Sequence, residues 1–250
     1  MNNNYASEGG HWYAKDGTPV YTLTGKNGKE RPTTIRDARK LGLYPSVTAI
    51  SKVAAAPGLE RWKVNQAILS ALTIPRIEGE TDDALIARIH RDGQEQAKKR
   101  AEEGSRIHGS IELAMAGKYY PAEHDAFVKA AIGELDKRWG KDGWSVEKSF
   151  GCDLGYGGKV DLHKPAIVAD FKTKEFGPED TKLAWPEHAM QLGAYRNGLG
   201  MPDALCANIF ISVNNPGLIY THVWDEDSIR IGFEKFKCLL SYWKLDRGIA

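Results

Sequence analysis

Gly158-Lys159-Val160-Asp161-Leu162-His163, then Lys164-Pro165-Ala166, then Ile167-Val168-Ala169-Asp170-Phe171-Lys172-Thr173: this stretch decides how the chain folds. Its flanks are rich in Val, Ile, Leu and Phe and are separated by a proline-bearing turn, the pattern of two strands joined in a hairpin. A turn centred between Pro165 and Ala166 sets Asp161 opposite Asp170, with Cβ atoms about 5 Å apart. Lys172 lies two residues beyond Asp170 and therefore on the same face. Opposed like charges destabilise a sheet, and an ionised carboxylate is costly within an apolar run. A divalent cation between the two acids removes both objections. The run Ile167-Val168-Ala169, followed by Phe171, marks a central strand buried on both faces.

Outward from the hairpin, period-2 segments predict strands near 144–150, 156–163, 166–173, 206–213 and 217–224. A helix is expected between the third and fourth, from Pro186 to about Gly198, and a last one over about 226–245. Upstream the pattern is helical. Pro45-Ser46 starts one helix with Ser46 as its cap, and Pro57-Gly58 breaks it. A second follows with Leu59, Trp62, Ile68, Leu69 and Leu72 among its apolar positions. Thr81-Asp82-Asp83 caps a helical stretch that reaches about Ala116, with an interruption expected near Asp92-Gly93. Another helix runs from Pro121 to Trp139. Residues 11–33 hold short apolar pieces between Asp16-Gly17 and Asn27-Gly28, read as one or two small β-hairpins outside the main core. The expectation is a single α/β domain over 1–250, with a central mixed β-sheet flanked by helices. Within it come a tail at 1–10, a hairpin extension at 11–44, a mainly helical part at 45–140, and the core sheet with its helices at 141–250.

The chain has 250 residues, 42% apolar and 27% charged, the composition of a soluble globular protein. No apolar run approaches the roughly 20 residues of a membrane helix, so no membrane partner is expected. The first ten residues have neither a basic nor an apolar signal region, which predicts a cytoplasmic location. Cys152, Cys206 and Cys238 are odd in number and widely spaced, which argues against a disulfide framework or a four-cysteine metal site. A formal net charge of +1 excludes polyanion binding by overall charge and leaves it to local patches. Candidates are Lys98, Lys99, Arg100 and Arg106, and a second group of Arg36, Arg39 and Lys40.

Two further pieces carry chemistry. Gln191 and Tyr195 are spaced i, i+4 on one face of the inserted helix, which begins about 14 residues after the Lys172 strand and can return beside it. His108 and Glu112 have the same spacing within Gly104-Ser105-Arg106-Ile107-His108-Gly109-Ser110-Ile111-Glu112. Gly104 and Gly109 cost helix stability and are explained by close approach of another backbone or of a substrate.

Taken together, Gly104-x-x-x-His108, Gly158-x-x-Asp161, Asp170-x-Lys172-Thr173 and Gln191-x-x-x-Tyr195 resemble the PD-(D/E)XK nuclease superfamily, closest to its RecB-like and phage exonuclease branch. The resemblance implies a restriction-endonuclease-like core. It makes Asp161, Asp170 and the Phe171 carbonyl metal ligands, adds His108 to the metal shell, and makes Lys172 the catalytic lysine. Gln191 and Tyr195 match the motif that shapes the site and holds DNA. Glu112 and Glu147 are further site candidates, and Ser105, Arg106, Thr173 and Lys174 are candidate DNA contacts. The implied cofactor is Mg²⁺ or Mn²⁺, with no iron–sulfur cluster. The implied activity is a DNA exonuclease of phage or bacterial recombination, repair or genome processing, acting in the host cytoplasm if phage-encoded. A single-strand annealing protein or a helicase would be its partner, and the oligomeric state is open. The alternatives are a structure-specific endonuclease of the same fold and a non-catalytic DNA-binding or assembly module.

Overall fold

The computed structural model describes residues 10–54 and 57–249. In chain order the elements are β1 (Trp12–Tyr13), β2 (Thr22–Thr24), β3 (Glu30–Pro32), α1 (Ile35–Leu41), β4 (Tyr44–Pro45), α2 (Val47–Ser51), α3 (Pro57–Thr73), α4 (Asp82–Met115), α5 (Asp125–Trp139), β5 (Ser145–Cys152), β6 (Tyr156–Lys164), β7 (Ile167–Lys174), α6 (Pro186–Gly198), β8 (Leu205–Ser212), β9 (Ile219–Trp224) and α7 (Glu226–Arg247). The α/β class expected from the sequence is the one found, and the five core strands lie within two residues of their predicted ends.

These five strands form one mixed sheet in the order β5-β6-β7-β8-β9. β5–β6, β6–β7 and β8–β9 are antiparallel, whereas β7–β8 is parallel, so α6 is the crossover that a parallel pair requires. The central strand is β7, and Ile167 through Phe171 are all buried. One face of the sheet packs Leu162, Ala169, Phe171, Ile209 and Ile211 against Ile107 and Ile111 of α4 and Phe127, Val128 and Leu135 of α5. The other packs Tyr156, Val160, Val168 and Cys206 against α2, α6 and α7 through Ile50, Leu192, Phe236 and Trp243. Cys206 is buried and all three cysteines are free thiols.

The helix starts follow local chemistry. Ser46 Oγ accepts from the Ala49 N–H at 3.1 Å, Thr81 caps α4, Asp225 caps α7, and Gly248 closes α7 in the left-handed conformation. α4 continues through Asp92-Gly93 without the expected interruption. One interior glycine costs about 1 kcal/mol, and a helix of 34 residues absorbs it. α1 was not foreseen; Thr34 and Asp37 form its capping box, a Thr-x-x-Asp signal at the position where α1 begins.

The N-terminal extension differs from its reading as a peripheral pair of hairpins. Asn27-Gly28 turns β2 into β3 and Asp16-Gly17 turns Tyr13 back to bridge Pro19, as expected, but β1 also pairs with β4. Trp12 and Tyr13 are 4% and 2% exposed, and Trp12 belongs to the same core cluster as Tyr156 and Trp243. The physical reason is partly Gly157, where a Cβ would stand 2.6 Å from Tyr13 Cβ; without one, the Tyr13 ring lies directly on the sheet. The expected tail, 1–10, lies outside the described residues except for Gly10.

Candidate active site

The β6–β7 hairpin has the register that the turn predicts, with Lys164↔Ile167, His163↔Val168 and Leu162↔Ala169 paired. The ladder stops there. The next pair would be Asp161 and Asp170, and at that point the strands fork: Asp161 Oδ2 accepts the Phe171 N–H at 2.8 Å, so a side chain replaces the backbone acceptor. The β5–β6 ladder also skips a pair at this level, passing from Val146↔Leu162 to Lys148↔Val160. The skipped residues are Glu147 and Asp161. Glu147 has φ +54°, the lone positive φ of a non-glycine residue among the described residues, a conformation costing about 1–3 kcal/mol. Leu162 and Val146 pack on the α4–α5 side, whereas Val160 and Phe150 pack on the α6–α7 side. Strict alternation would put all four on one face, so both strands change face at Glu147 and Asp161.

Side chains from both faces of the sheet meet at this fork. On the α6 side, Asp170 is 2% exposed; its Oδ2 accepts from Lys172 Nζ at 2.5 Å and from Asn208 Nδ2 at 2.8 Å. Lys172 Nζ also donates to Gln191 Oε1 at 2.9 Å. Gln191 Nε2 donates to Tyr195 Oη at 2.8 Å, and Tyr195 is bonded in turn to Thr48 at the start of α2. On the α4 side, the His108 ring stands edge-on to Phe171, with centroids 5.9 Å apart, and His108 Nδ1 is 3.8 Å from Asp161 Oδ2. His108, Asp161, Asp170, Phe171, Lys172, Gln191 and Tyr195 are thus one constellation, drawn from α4, β6, β7 and α6.

The electrostatics match that crowding. Burial, then the negative charge of Asp170, pushes the Asp161 carboxyl above the usual carboxylate range, against the opposing pull of Lys172. Burial lowers His108, opposed by Asp170 and helped by Lys172, which leaves its imidazole neutral near pH 7 and able to act as a ligand. Tyr195 is pushed up by burial and by both aspartates and stays a neutral phenol. His188, in the first turn of α6, accepts the Trp185 N–H at 3.1 Å on Nδ1; burial, then Lys172, lowers it to about 4.

The outer candidates divide. Glu112 and Glu147 line a small cleft with His108, Asp161 and Phe171, but the Glu147 carboxylate is paired with Lys159. Thr173 lies under α4, where a Cβ on Gly104 would meet its Oγ1 at 2.4 Å, whereas Gly109 faces open space. Ser105 spends its hydroxyl on the Ala101 carbonyl at 3.0 Å. Arg106 is ion-paired with Glu103. Lys174 reaches along the sheet edge to the Trp185 ring, 6.0 Å from its centroid. Of the second basic group, Arg39 donates to the Arg247 carbonyl, a structural role.

Sequence reasoning missed Asn208. Fully buried, it sits beside Asp170 across the parallel ladder, donates to it, and accepts from Trp224 Nε1 at 2.8 Å. Its signal was a polar residue in the otherwise apolar run Leu205-Cys206-Ala207-Asn208-Ile209-Phe210-Ile211.

Two carboxylates, a neutral imidazole and a backbone carbonyl suit a hard divalent cation, and the raised Asp161 is a carboxylate pair whose repulsion such a cation would relieve. Among the described residues, no group of three or more His, Cys, Asp or Glu side chains is drawn close enough to hold a metal. The Phe171 N–H meets Asp161 Oδ2, and Lys172 and Asn208 meet Asp170 Oδ2, instead.

No family model matches the chain, and no curated protein does. Among solved structures, the crystal structure of SSO0001 is similar over 51% of this chain and 64% of that one, at 20% identity and a TM-score of 0.28; the match spans less than two thirds of that chain's length. No described helix is long and apolar enough to cross a membrane.

Proposed function

We propose that this chain is a Mg²⁺- or Mn²⁺-dependent deoxyribonuclease, an exonuclease acting in recombination, repair or genome processing. The observation that carries the reading is the convergence of Asp161, Asp170, Lys172 and Gln191 at the fork of β6 and β7, with His108 brought in from α4. Opposed acids sharing a buried site with an ammonium group are costly to maintain, and hydrolysis of a phosphodiester is the chemistry for which that combination is equipped. The resemblance of the four motifs to PD-(D/E)XK nucleases supports the same reading.

Asp161, Asp170, the Phe171 carbonyl and His108 would hold the cation. When bound, it supplies polarisation of the scissile phosphate and acidification of a bound water. The remaining work belongs to the chain. Lys172 has three donors; Asp170 and Gln191 take two, and the third is free for an attacking water or a phosphate oxygen. Those two anchors fix the ammonium within the site, so its charge is in place before charge develops on phosphorus. Tyr195 holds the Gln191 amide with its oxygen toward Lys172. Asn208 holds Asp170 from the neighbouring strand, the kind of support that orients a ligand carboxylate.

The test is a digestion series with end-labelled linear single-stranded, linear double-stranded and covalently closed circular DNA, with Mg²⁺, Mn²⁺ or EDTA. We expect metal-dependent loss of the linear substrates and survival of the circles. Absence of hydrolysis with either metal would remove the nuclease reading, and cutting of the circles would replace the exonuclease by an endonuclease.

A further inference from the structure

From Lys172 the sheet edge leads away from the fork into a second cleft, between α4 and the end of β7. It is lined by Trp62, Lys99, Arg100, Glu103, Thr173 and Lys174. The Arg100 guanidinium lies over the Trp62 ring, 5.6 Å from its centroid. Lys174 Nζ lies 6.0 Å from the centroid of Trp185, whose residue is 46% exposed. Two indoles, each with a cation over its ring, therefore lie near the path: Trp62 lines the cleft, and Trp185 stands beyond Lys174. Lys174 follows Lys172 by two residues, about 7 Å of strand on the same face. A strand held at Lys172 that leaves along β7 passes it.

We infer that this cleft binds an unpaired DNA strand, with its bases stacked on Trp62 and Trp185 and its phosphates beside Arg100 and Lys174. The inference rests on the nuclease reading of the adjoining site. Indole faces are the feature that selects the strand state. A stacked duplex offers its groove edges and phosphates, whereas an unpaired base offers a π face that an aromatic ring can cover. The acidic groups facing the cleft do not block a phosphate. Glu103 is ion-paired with Arg106. Glu175 meets Arg100 at 3.4 Å, with both side chains about half exposed, a solvated pair of the kind that contributes little and that a phosphate can replace. Lys174 is exposed at the end of β7 and open to an approaching phosphate.

Binding is measured by fluorescence anisotropy with a labelled oligothymidylate and a labelled blunt duplex, on the full chain carrying Lys172→Ala so that cleavage does not interfere. Intrinsic tryptophan emission is recorded in parallel. Trp62→Ala with Trp185→Ala is expected to weaken oligothymidylate binding about tenfold for each stack lost, to shift the single-strand to duplex affinity ratio toward duplex, and to abolish most of the tryptophan quenching. Trp62→Phe with Trp185→Phe keeps the π faces and should recover most of the affinity, which a folding defect would not allow. Equal losses on both DNA forms, or no loss on single strands, overturn the cleft assignment. The two readings fail separately. A wild-type chain that cuts DNA while the double alanine variant degrades single strands at an undiminished rate loses the cleft and keeps the nuclease. A chain that cuts nothing yet shows tryptophan quenching lost in the double variant keeps the cleft and loses the nuclease.

Discussion

The β6–β7 hairpin has two ends built from opposite materials. At its closed end, Leu162, Val168 and Ala169 are fully buried and every position is paired in the ladder. At its open end, one residue further along each strand, the ladder is gone, and Asp161, Asp170 and Lys172 face one another with part of their hydrogen bonding drawn from side chains. The closed end lowers the free energy of the fold. The open end raises it, through a carboxyl held above its ordinary range and a strained Glu147 backbone. Adjacent residues on a single strand thus serve different ends, and substitutions on either side of the boundary should separate stability from activity.

The largest effect is expected from Lys172→Ala. Removing the sole ammonium group that contacts Asp170 among the described residues should lower the cleavage rate at least about 100-fold, the loss that follows removal of one charge-stabilising donor. Circular dichroism should show a folded protein. A variant that cleaves at the wild-type rate would remove Lys172 from the chemistry.

Asp161→Asn and Leu162→Ala, one residue apart, cut the comparison at its boundary. A carboxyl whose folded pKa is raised binds more protons in the folded state than in the unfolded one, so its contribution to stability falls as pH rises from about 4 toward that raised value. Asp161→Asn removes this penalty. It should abolish Mn²⁺ binding by calorimetry while raising the metal-free melting temperature at pH 7.5 by a few degrees, since about 1 kcal/mol moves a domain of this size by about 2–4 °C. Leu162→Ala should do the reverse. It should cost about 2–5 kcal/mol of stability, measured by urea unfolding, with the turnover of the folded fraction changed less than about threefold. Loss of activity without loss of stability in Leu162→Ala would erase the boundary.

The same raised carboxyl sets a pH dependence for the open end. Mn²⁺ must displace the Asp161 proton, so affinity should rise with pH, by about tenfold per unit at most, until the carboxyl is ionised. His108 is lowered by burial, so its proton competes with the metal less than that of an ordinary imidazole. A flat affinity between pH 6 and 8 would place the acid among ordinary carboxylates. Asn208→Ala should fall between the two ends, because it leaves both Asp170 and the Trp224 N–H short of a partner. About 1–3 kcal/mol of stability and about 10- to 100-fold in metal affinity or activity should be lost together.

Much of the closed end was legible in the sequence, because periodicity and turn chemistry are local. Pro165-Ala166 set the register, and the Val-Ile-Leu-Phe runs marked all five core strands. The motif spacings also named the residues that converge at the fork. What the pattern could not supply was the fork itself. Alternation reads Asp161 as one step in a regular strand, and only the packing of Leu162 on one side of the sheet and Val160 on the other reveals that the strand turns over there. The pairing of Asn208 was illegible for a related reason. Its partners, Asp170 and Trp224, come from strands on either side of it, and no local spacing reports a pairing of that range. Trp12 and Tyr13 were placed outside the core because two residues between turn signals carry little weight, although they lie against Gly157 far along the chain.

The smallest effect tests how tightly α4 is set over the open end. Gly104 and Gly109 lie five positions apart in one helix, and each should cost about 1 kcal/mol relative to alanine. Their surroundings differ. A Cβ at 104 would meet Thr173 Oγ1 at 2.4 Å, whereas one at 109 would meet nothing within 4 Å. Gly109→Ala should therefore stabilise the metal-free protein by up to about 1 kcal/mol. Gly104→Ala should lose that gain to the contact, pushing α4, and with it His108, away from β7, with weaker Mn²⁺ binding as the readout. Restoring room with Thr173→Ser would not help, because the hydroxyl is the atom in the way; Thr173→Ala would. Recovery of Mn²⁺ affinity in Gly104→Ala with Thr173→Ala, but not in Gly104→Ala with Thr173→Ser, would show that the close approach of this helix to this strand positions the imidazole. Equal affinity in all three variants would detach Gly104 from the open end altogether.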